Sequence, residues 1–449
     1  MNDLEALFYQ STVTNLAKYL YQELGIAPKR DYFFRYAHSG PRLLTFALGI
    51  NPRYLPKLRS LQEQLTLAMA LEKEQHIRLA RGDRGMLCIE IPKPEGLCYS
   101  LPQSALPTGR GWKVPLALDG FYKPIRLNFG HPLQTHTLIT GTTGSGKTNG
   151  LRLLILKLIE QNRPEDVQFL LIDPSKGGRW FRDFEGLPHL MHPPVTKQDE
   201  IAAAMAWTVG ELERRGREFI AEPRIFIALD EAQVLLGEKR DTFLHPISRV
   251  ASEGREVGMH LILVTQKPDI DSLGSGRIRG LMTNRVIGCV RGANEAYQAT
   301  GLAESDAHLL TREGDMLFVL VGFVSRGQMP LVDLETIVKL KESAGTVTNR
   351  LALPGDREIA QALEGEGHED GDTDEETVGG FSTKELAISL IGARHREKGR
   401  PWLKNVLTYE LGSAPGSGRA GRLRDLGRQL RAELIGYEHD LGWLMGLTD

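Results

Sequence analysis

The chain has 449 residues, enough for two to four domains. Hydrophobic residues make up 41% and charged residues 25%, which excludes both a disordered polyelectrolyte and a membrane-embedded bundle. The formal net charge is −2, so the chain is no polycation, and any surface for nucleic acid must be local. Cys88, Cys98 and Cys289 stand apart without a C-x-x-C pair, which speaks for a reducing cytosol and against a zinc site or disulfide framework. No apolar run reaches the length of a membrane span, and the opening MNDLEALFYQ is acidic with no signal-peptide pattern. The expectation is a cytoplasmic chain with no membrane segment.

In chain order, residues 2–24 read as an amphipathic helix with Leu4, Leu7, Phe8, Val13, Leu16, Leu20 and Leu24 as apolar positions. They dominate an N-terminal helical segment over 1–40. A strand at 42–50, a helix at about 57–71 and strands at about 76–81 and 86–91 make a small α/β domain over 41–108. The Pro- and Gly-rich run 101–112 connects this domain to a larger one. Beyond it, strand candidates at 136–140, 167–172, 225–229, 260–264, 285–290 and 316–321 alternate with helical patterns. Most are nearly continuous apolar runs, as strands buried on both faces should be. Helices between them imply a parallel sheet with right-handed crossovers, in a domain spanning 109–345.

The character then changes. Residues 346–380 read as an acidic linker. Between 364 and 376 lie Glu364, Glu366, Glu369, Asp370, Asp372, Asp374, Glu375 and Glu376, with no Lys or Arg. A second reading of that run is a mimic of DNA. Residues 381–449 read as a small helical domain in which Arg419, Arg422, Arg424, Arg428 and Arg431 share one helix. Two readings stand for it: a packing domain with a solvated basic face, or a helix-turn-helix or winged-helix module that meets DNA.

Chemistry concentrates at 137–158, TLITGTTGSGKTNGLRLLILKL. An apolar strand leads into G-x-x-x-x-G-K-T, and an apolar helical pattern comes after it, which is the setting of a phosphate-binding P-loop. Gly141, Thr142, Thr143, Gly144, Ser145, Gly146, Lys147, Thr148 and Asn149 are the candidate nucleotide-binding residues. Glycines let backbone N–H groups close on phosphate oxygens, and the helix N-terminus adds positive potential. Lys147 offers a charge to the β- and γ-phosphates of ATP, and Thr148 a hydroxyl to Mg²⁺. At 224–233, RIFIALDEAQ, an apolar strand ends in Asp230, placed for the Mg²⁺ shell, and Glu231, placed to polarise an attacking water. At 260–268, HLILVTQKP, another strand ends near Gln266, whose amide can both donate to phosphate or water and accept from water. Asp173, in LLIDPSKGG, ends a further strand at the carboxyl edge where ligands bind. Its role is either catalytic or loop-shaping.

Taken together, GTTGSGKT, IDPSKGG, GLPHLMHPPVT, LDEAQ, GREVGMHLILVTQKP and REGDMLF occur in the order seen in the FtsK/SpoIIIE DNA translocases, within the wider FtsK–HerA group. The likeness is strong over about 113–322, and the unit at 41–92 resembles the domain that precedes the motor in that family. The resemblance implies a RecA-like P-loop ATPase with a mainly parallel sheet, preceded by a small α/β domain and followed by a small helical or winged-helix-like one. It also implies a homohexameric ring, ATP between subunits and double-stranded DNA in the channel. Arg255 matches the family position proposed to act in trans on the neighbouring site. Arg249 and Arg285 are weaker candidates. Lys239, Arg240, Lys267, Arg277 and Arg279 are candidate DNA contacts, the last three in a Gly-rich loop after the Gln266 strand. The chain departs from the family in lacking an N-terminal membrane region and in the residues of its last domain. The function expected is an ATP-driven double-stranded DNA translocase, with DNA transfer of a mobile element as one setting that suits it. Alternatives are a HerA-like DNA-processing motor and a protein-export motor of the type VII kind.

Overall fold

The computed structural model describes residues 3–354, apart from 24, 28–31, 73–74, 82–85, 239, 271, 304 and 345–350. At 32–36, 81, 237–238 and 240–241 it describes the backbone alone. The C-terminal domain expected at 381–449, and the acidic linker except for 351–354, lie outside the described residues.

The chain opens with α1 (Asp3–Gln22), β1 (Tyr32–Ser39), β2 (Leu43–Ile50), α2 (Leu55–Ser60), α3 (Gln62–Ala68), β3 (Arg78–Arg81) and β4 (Leu87–Pro92). The four strands form one antiparallel sheet in the order β1-β2-β4-β3. Alternate residues of β2, Leu44, Phe46 and Leu48, are buried with Leu79 of β3, Leu87, Ile89 and Ile91 of β4, and Leu16 and Leu20 of α1. The expected separation of a helical segment at 1–40 is therefore corrected. β1 lies within it and pairs with β2, and α1 shares the same core. A strand at 32–39 was hidden from sequence reading because its YFFRYAHS has no clean period.

The second sheet has nine strands. Its elements are β5 (Lys113–Asp119), β6 (Pro124–Asn128), β7 (Thr137–Thr140), α4 (Lys147–Gln161), β8 (Val167–Ile172), α5 (Gln198–Glu218), β9 (Arg224–Leu229), α6 (Arg240–Glu253), β10 (Met259–Thr265), α7 (Gly276–Leu281), β11 (Asn284–Ile287), α8 (Ala293–Thr300), β12 (Asp315–Leu320), β13 (Phe323–Gln328) and α9 (Leu334–Ala344). The order is β6-β5-β13-β12-β11-β7-β10-β9-β8. β11, β7, β10, β9 and β8 are mutually parallel, so the α/β class and parallel core hold. The strand expected at 316–321 departs from the parallel set: β12 runs antiparallel to β11 and turns at Gly322 into β13. The connection 288–314 holds α8 but does not cross back: Cys289 O at its start and the Glu313 and Gly314 N–H groups at its end all bond residues 142–145 at the carboxyl edge, so β12 starts where β11 ends and runs the other way.

Successive residues of the parallel strands face opposite cores. Phe226 and Ala228 of β9 and Ile262 and Val264 of β10 pack on one side with Leu151, Leu154, Ile155 and Leu158 of α4. Ile225, Ile227 and Leu229 and Leu261 and Leu263 pack on the other, with Ile201 and Met205 of α5 and Phe243 and Ile247 of α6. The two sheets meet through buried charge. Arg326 of β13 donates to Glu90 of β4 (2.8 Å) and to Asp315 of β12 (Nε, 2.8 Å), and Arg78 also reaches Glu90 (3.2 Å).

Candidate active site

β7 delivers a loop to the carboxyl edge of the sheet. Gly141, Gly144 and Gly146 have φ of 146°, 81° and 103°, in the region that favours glycine. Space demands the same residues. A Cβ on Gly146 would lie 2.8 Å from the Gly314 nitrogen, and one on Gly141 2.7 Å from the Ser145 hydroxyl. The loop is braced from behind. Glu313 N–H donates to Gly144 O (3.1 Å), Gly314 N–H to Ser145 O (3.0 Å), and both the N–H and the hydroxyl of Thr142 to Cys289 O (2.7 and 2.9 Å). The strand expected to run on to 290 stops at Ile287 because the chain turns there to reach the loop. α4 starts at Lys147, so its first-turn N–H groups and the loop amides form a cradle for phosphate.

Lys147 is buried and donates to Thr142 O (3.0 Å). Burial pushes its ammonium below the usual range, against the nearby Glu231 charge. Thr148, at the second helical position, is half-exposed. Asn149 does not share this face: its amide donates to Pro330 O and its oxygen accepts from Val332 N–H, both at 2.9 Å. Its side chain clamps the exit of β13, which leaves only its backbone N–H for the nucleotide-binding role expected of it.

β9 ends at the same edge with Asp230 and Glu231. Glu231 has φ of 52°, a left-handed backbone that a side chain occupies only under constraint. Its two carboxylate oxygens accept from the Gln266 amide (3.0 and 3.2 Å), from Gln233, and from Lys176 Nζ (2.7 Å). Burial opposes its ionisation, but the Lys176 hydrogen bond and the two amides outweigh it and hold the carboxyl below its ordinary range. Asp230 is shifted the other way. Burial raises it, Lys176 at 3.3 Å offsets this only partly, and the Glu231 and Asp173 charges add to the rise. Gln266 Oε1 accepts from Thr143 Oγ1 (3.3 Å), which completes a line from the P-loop through Gln266 to Glu231.

Sequence reading missed Lys176. Its loop is shaped by Asp173, whose carboxylate accepts from the N–H groups of Ser175, Lys176 and Gly178 at 2.9–3.1 Å. Asp173 therefore builds the loop, with both carboxylate oxygens taken by its N–H groups. The signal was the apolar strand ending in a turn that contains a lysine, at the same edge as the P-loop.

The arginines separate cleanly. Arg255 is exposed, with Glu256 at 3.9 Å. Arg249 is held by Glu213 and Glu253 of its own chain (2.6 and 3.0 Å). Arg285 donates to Met282, Ala299 and Arg279 carbonyls (3.1, 3.3 and 3.0 Å) and burial pushes it down to about 10, so it anchors β11. Arg277 and Arg279 lie on α7 and not in a loop, since Ser275 caps that helix through Ile278 N–H (3.1 Å). Arg277 is exposed and Arg279 half-buried; Lys267 is exposed beside Gln266. Lys239 and the Arg240 side chain lie outside the described residues.

Asp230 and Thr148 flank the cradle as oxygen donors of the kind Mg²⁺ takes, and the glycine cradle fits a phosphate chain, so the residues suit Mg²⁺ and ATP. Among the described residues, no helix is long and apolar enough to cross a membrane.

Residues 123–227 match the model of the FtsK/SpoIIIE family. The chain is similar to the DNA translocase FtsK of Shewanella oneidensis, 30% identical over 341 residues that cover 64% of this chain and 36% of that protein. It is similar to the DNA translocase FtsK of Pseudomonas syringae pv. tomato, 27% identical over 372 residues covering 70% and 43%. The chain thus spans less than half the length of these curated relatives. Among solved structures it resembles the pCW3 conjugation coupling protein TcpA, in the monomer form with ATPγS, at 18% identity and a TM-score of 0.47, covering 74% of this chain and 99% of that one.

Proposed function

We infer, from a motor segment that belongs to the FtsK/SpoIIIE family, that this protein hydrolyses ATP and couples the reaction to movement along double-stranded DNA. The observation that carries the reading is the line from Thr143 through Gln266 to Glu231, which ties the phosphate loop to a carboxylate able to take a proton from water. The loop amides from Thr142 to Thr148 receive the phosphate oxygens. Lys147 exchanges the Thr142 carbonyl for the β- and γ-phosphates. Glu231 orients and deprotonates the attacking water, and Gln266 holds that water against the terminal phosphate. Thr148 and Asp230 would hold Mg²⁺, which would supply charge neutralisation for the phosphate chain.

Arg255 serves a neighbouring subunit. It precedes β10, whereas Gln266 follows it, and seven strand residues separate the two by roughly 20 Å. That span puts Arg255 out of reach of its own P-loop and favours a closed ring, which we take to be a homohexamer. Lys267 and Arg277 present exposed charge beyond the carboxyl edge and meet duplex phosphates, which carry no sequence information.

The test is ATP hydrolysis with and without linear duplex, in wild type and Glu231→Gln, with triplex displacement as the readout of movement. Duplex of any sequence should raise turnover. Glu231→Gln should keep nucleotide binding and lose turnover by about 10²-fold or more. Near-normal hydrolysis in that variant would remove Glu231 from the chemistry, and hydrolysis indifferent to duplex would favour a protein-export motor.

A further inference from the structure

Lys176 bridges the two carboxylates at the end of β9. Its ammonium lies 3.3 Å from Asp230 Oδ2 and 2.7 Å from Glu231 Oε1. The loop that carries it is fixed by three N–H donors to Asp173, itself only 1% exposed, so the lysine is aimed and not merely near. Both Asp230 oxygens are engaged. Its Oδ1 accepts from Glu231 N–H at 3.1 Å, and Oδ2 is taken by Lys176. The Asp230 side chain is 2% exposed, whereas the Lys176 side chain is 34% exposed. The carboxylate therefore stays in place, and the ammonium has a route to water.

We propose that Lys176 is a positioning residue that competes with the cation of a Mg²⁺–nucleotide complex for Asp230 Oδ2 and holds the Glu231 carboxylate until the complex arrives. The proposal rests on the nucleotide-site reading above. A divalent ion that uses Asp230, directly or through a water, sits within a few ångströms of the present ammonium position. Two cations in so small and buried a space repel strongly. Lys176 then gives up Asp230, and the shift loosens its hold on Glu231, the group that must accept a proton from water. A free nucleotide without the cation brings no such competitor, so it binds without moving the lysine. Lys147 adds a second fixed positive charge nearby, which makes retention of both ammonium groups beside the ion less favourable still.

The experiment measures binding of a fluorescent ATP analogue with saturating Mg²⁺ and with EDTA, in wild type, Lys176→Met, Lys176→Gln and Lys176→Arg, each checked for a wild-type melting transition. The quantity read is the ratio of the two affinities. Removing the competitor should raise that ratio roughly twofold to fivefold in the Met and Gln variants, the size of one ion-pair partner at a partly exposed site. Affinity in EDTA should stay at the wild-type value, and Lys176→Arg, which keeps the charge, should restore the ratio. An unchanged or lowered ratio in folded Met and Gln variants would overturn the proposal. Wild type that binds no nucleotide in either condition would instead overturn the nucleotide-site reading.

Discussion

Replacing Arg326 by Met tests whether the small sheet and the motor sheet are one mechanical unit. The Arg326 side chain is 2% exposed and neutralises Asp315, also 2% exposed, and Glu90, 10% exposed. Burial works against its charge, but Asp315 and Glu90 hold its proton affinity above the usual arginine range. Methionine fills most of the volume but leaves two buried carboxylates with only Arg78 beside one of them. Removing one partner of a buried pair costs about 3–5 kcal/mol. For a domain of this size each kcal/mol lowers the melting temperature by about 2–4 °C, so the transition should fall by roughly 6–20 °C. Adding Glu90→Gln and Asp315→Asn removes the stranded charges and should recover most of the loss. The consequence reaches the P-loop. Asp315 accepts from the Thr311 N–H and hydroxyl (2.7 and 2.8 Å), and the turn so held supplies the Glu313 and Gly314 N–H groups that brace Gly144 and Ser145. Arg326→Met should therefore weaken nucleotide binding while touching no nucleotide. Scanning calorimetry and a binding titration measure both effects. A melting shift under about 2 °C would refute the coupling argument.

Three other substitutions probe the same geometry. Arg255→Ala subunits mixed into wild-type assemblies should depress ATP hydrolysis more than dilution does, and a strictly linear decline in demonstrated mixed rings would refute action in trans. Arg277→Gln should weaken duplex binding equally on unrelated sequences and reduce the salt slope by about 1, as measured by titration from low to high salt. Arg279→Gln should cost more in stability and less in slope, because Arg279 is half-buried beside Asp269 and Tyr297; equal slopes for the two variants would refute that distinction.

What was legible in the sequence was what neighbouring residues encode together. The P-loop needs a strand, glycines at fixed offsets and a helix, all within about twenty consecutive residues, so its local geometry could be written down from them. The strand ends at Asp230 and Gln266 were legible for the same reason, since a long apolar run stops there. Asn149 illustrates the limit. It directly follows the motif by number, but at helix position three its side chain points to the far side of α4, where Pro330 and Val332 wait. Its role depends on β13, whose FVSRGQ has neither a clean alternation nor an apolar run. β12 was legible as a strand and not as an antiparallel one, because the helical pattern between 288 and 314 reads as a crossover, whereas both ends of that connection lie at the same sheet edge.

Lys176 and Arg326 show why the remainder was hidden. Each is a charged residue whose partners are distant in sequence, 54 positions away for Lys176 and Asp230 and 236 for Arg326 and Glu90. In sequence, such residues are indistinguishable from solvated surface charge, and only the fold supplies the partner that makes their burial tolerable. Both connect to the P-loop without belonging to the motif: Lys176 through Glu231 and Gln266 to Thr143, and Arg326 through Asp315 and the turn whose N–H groups bond the Gly144 and Ser145 carbonyls. The phosphate loop is thus gripped from two directions by charges the motif does not contain. Substitutions at either place should alter nucleotide handling while leaving every motif residue intact.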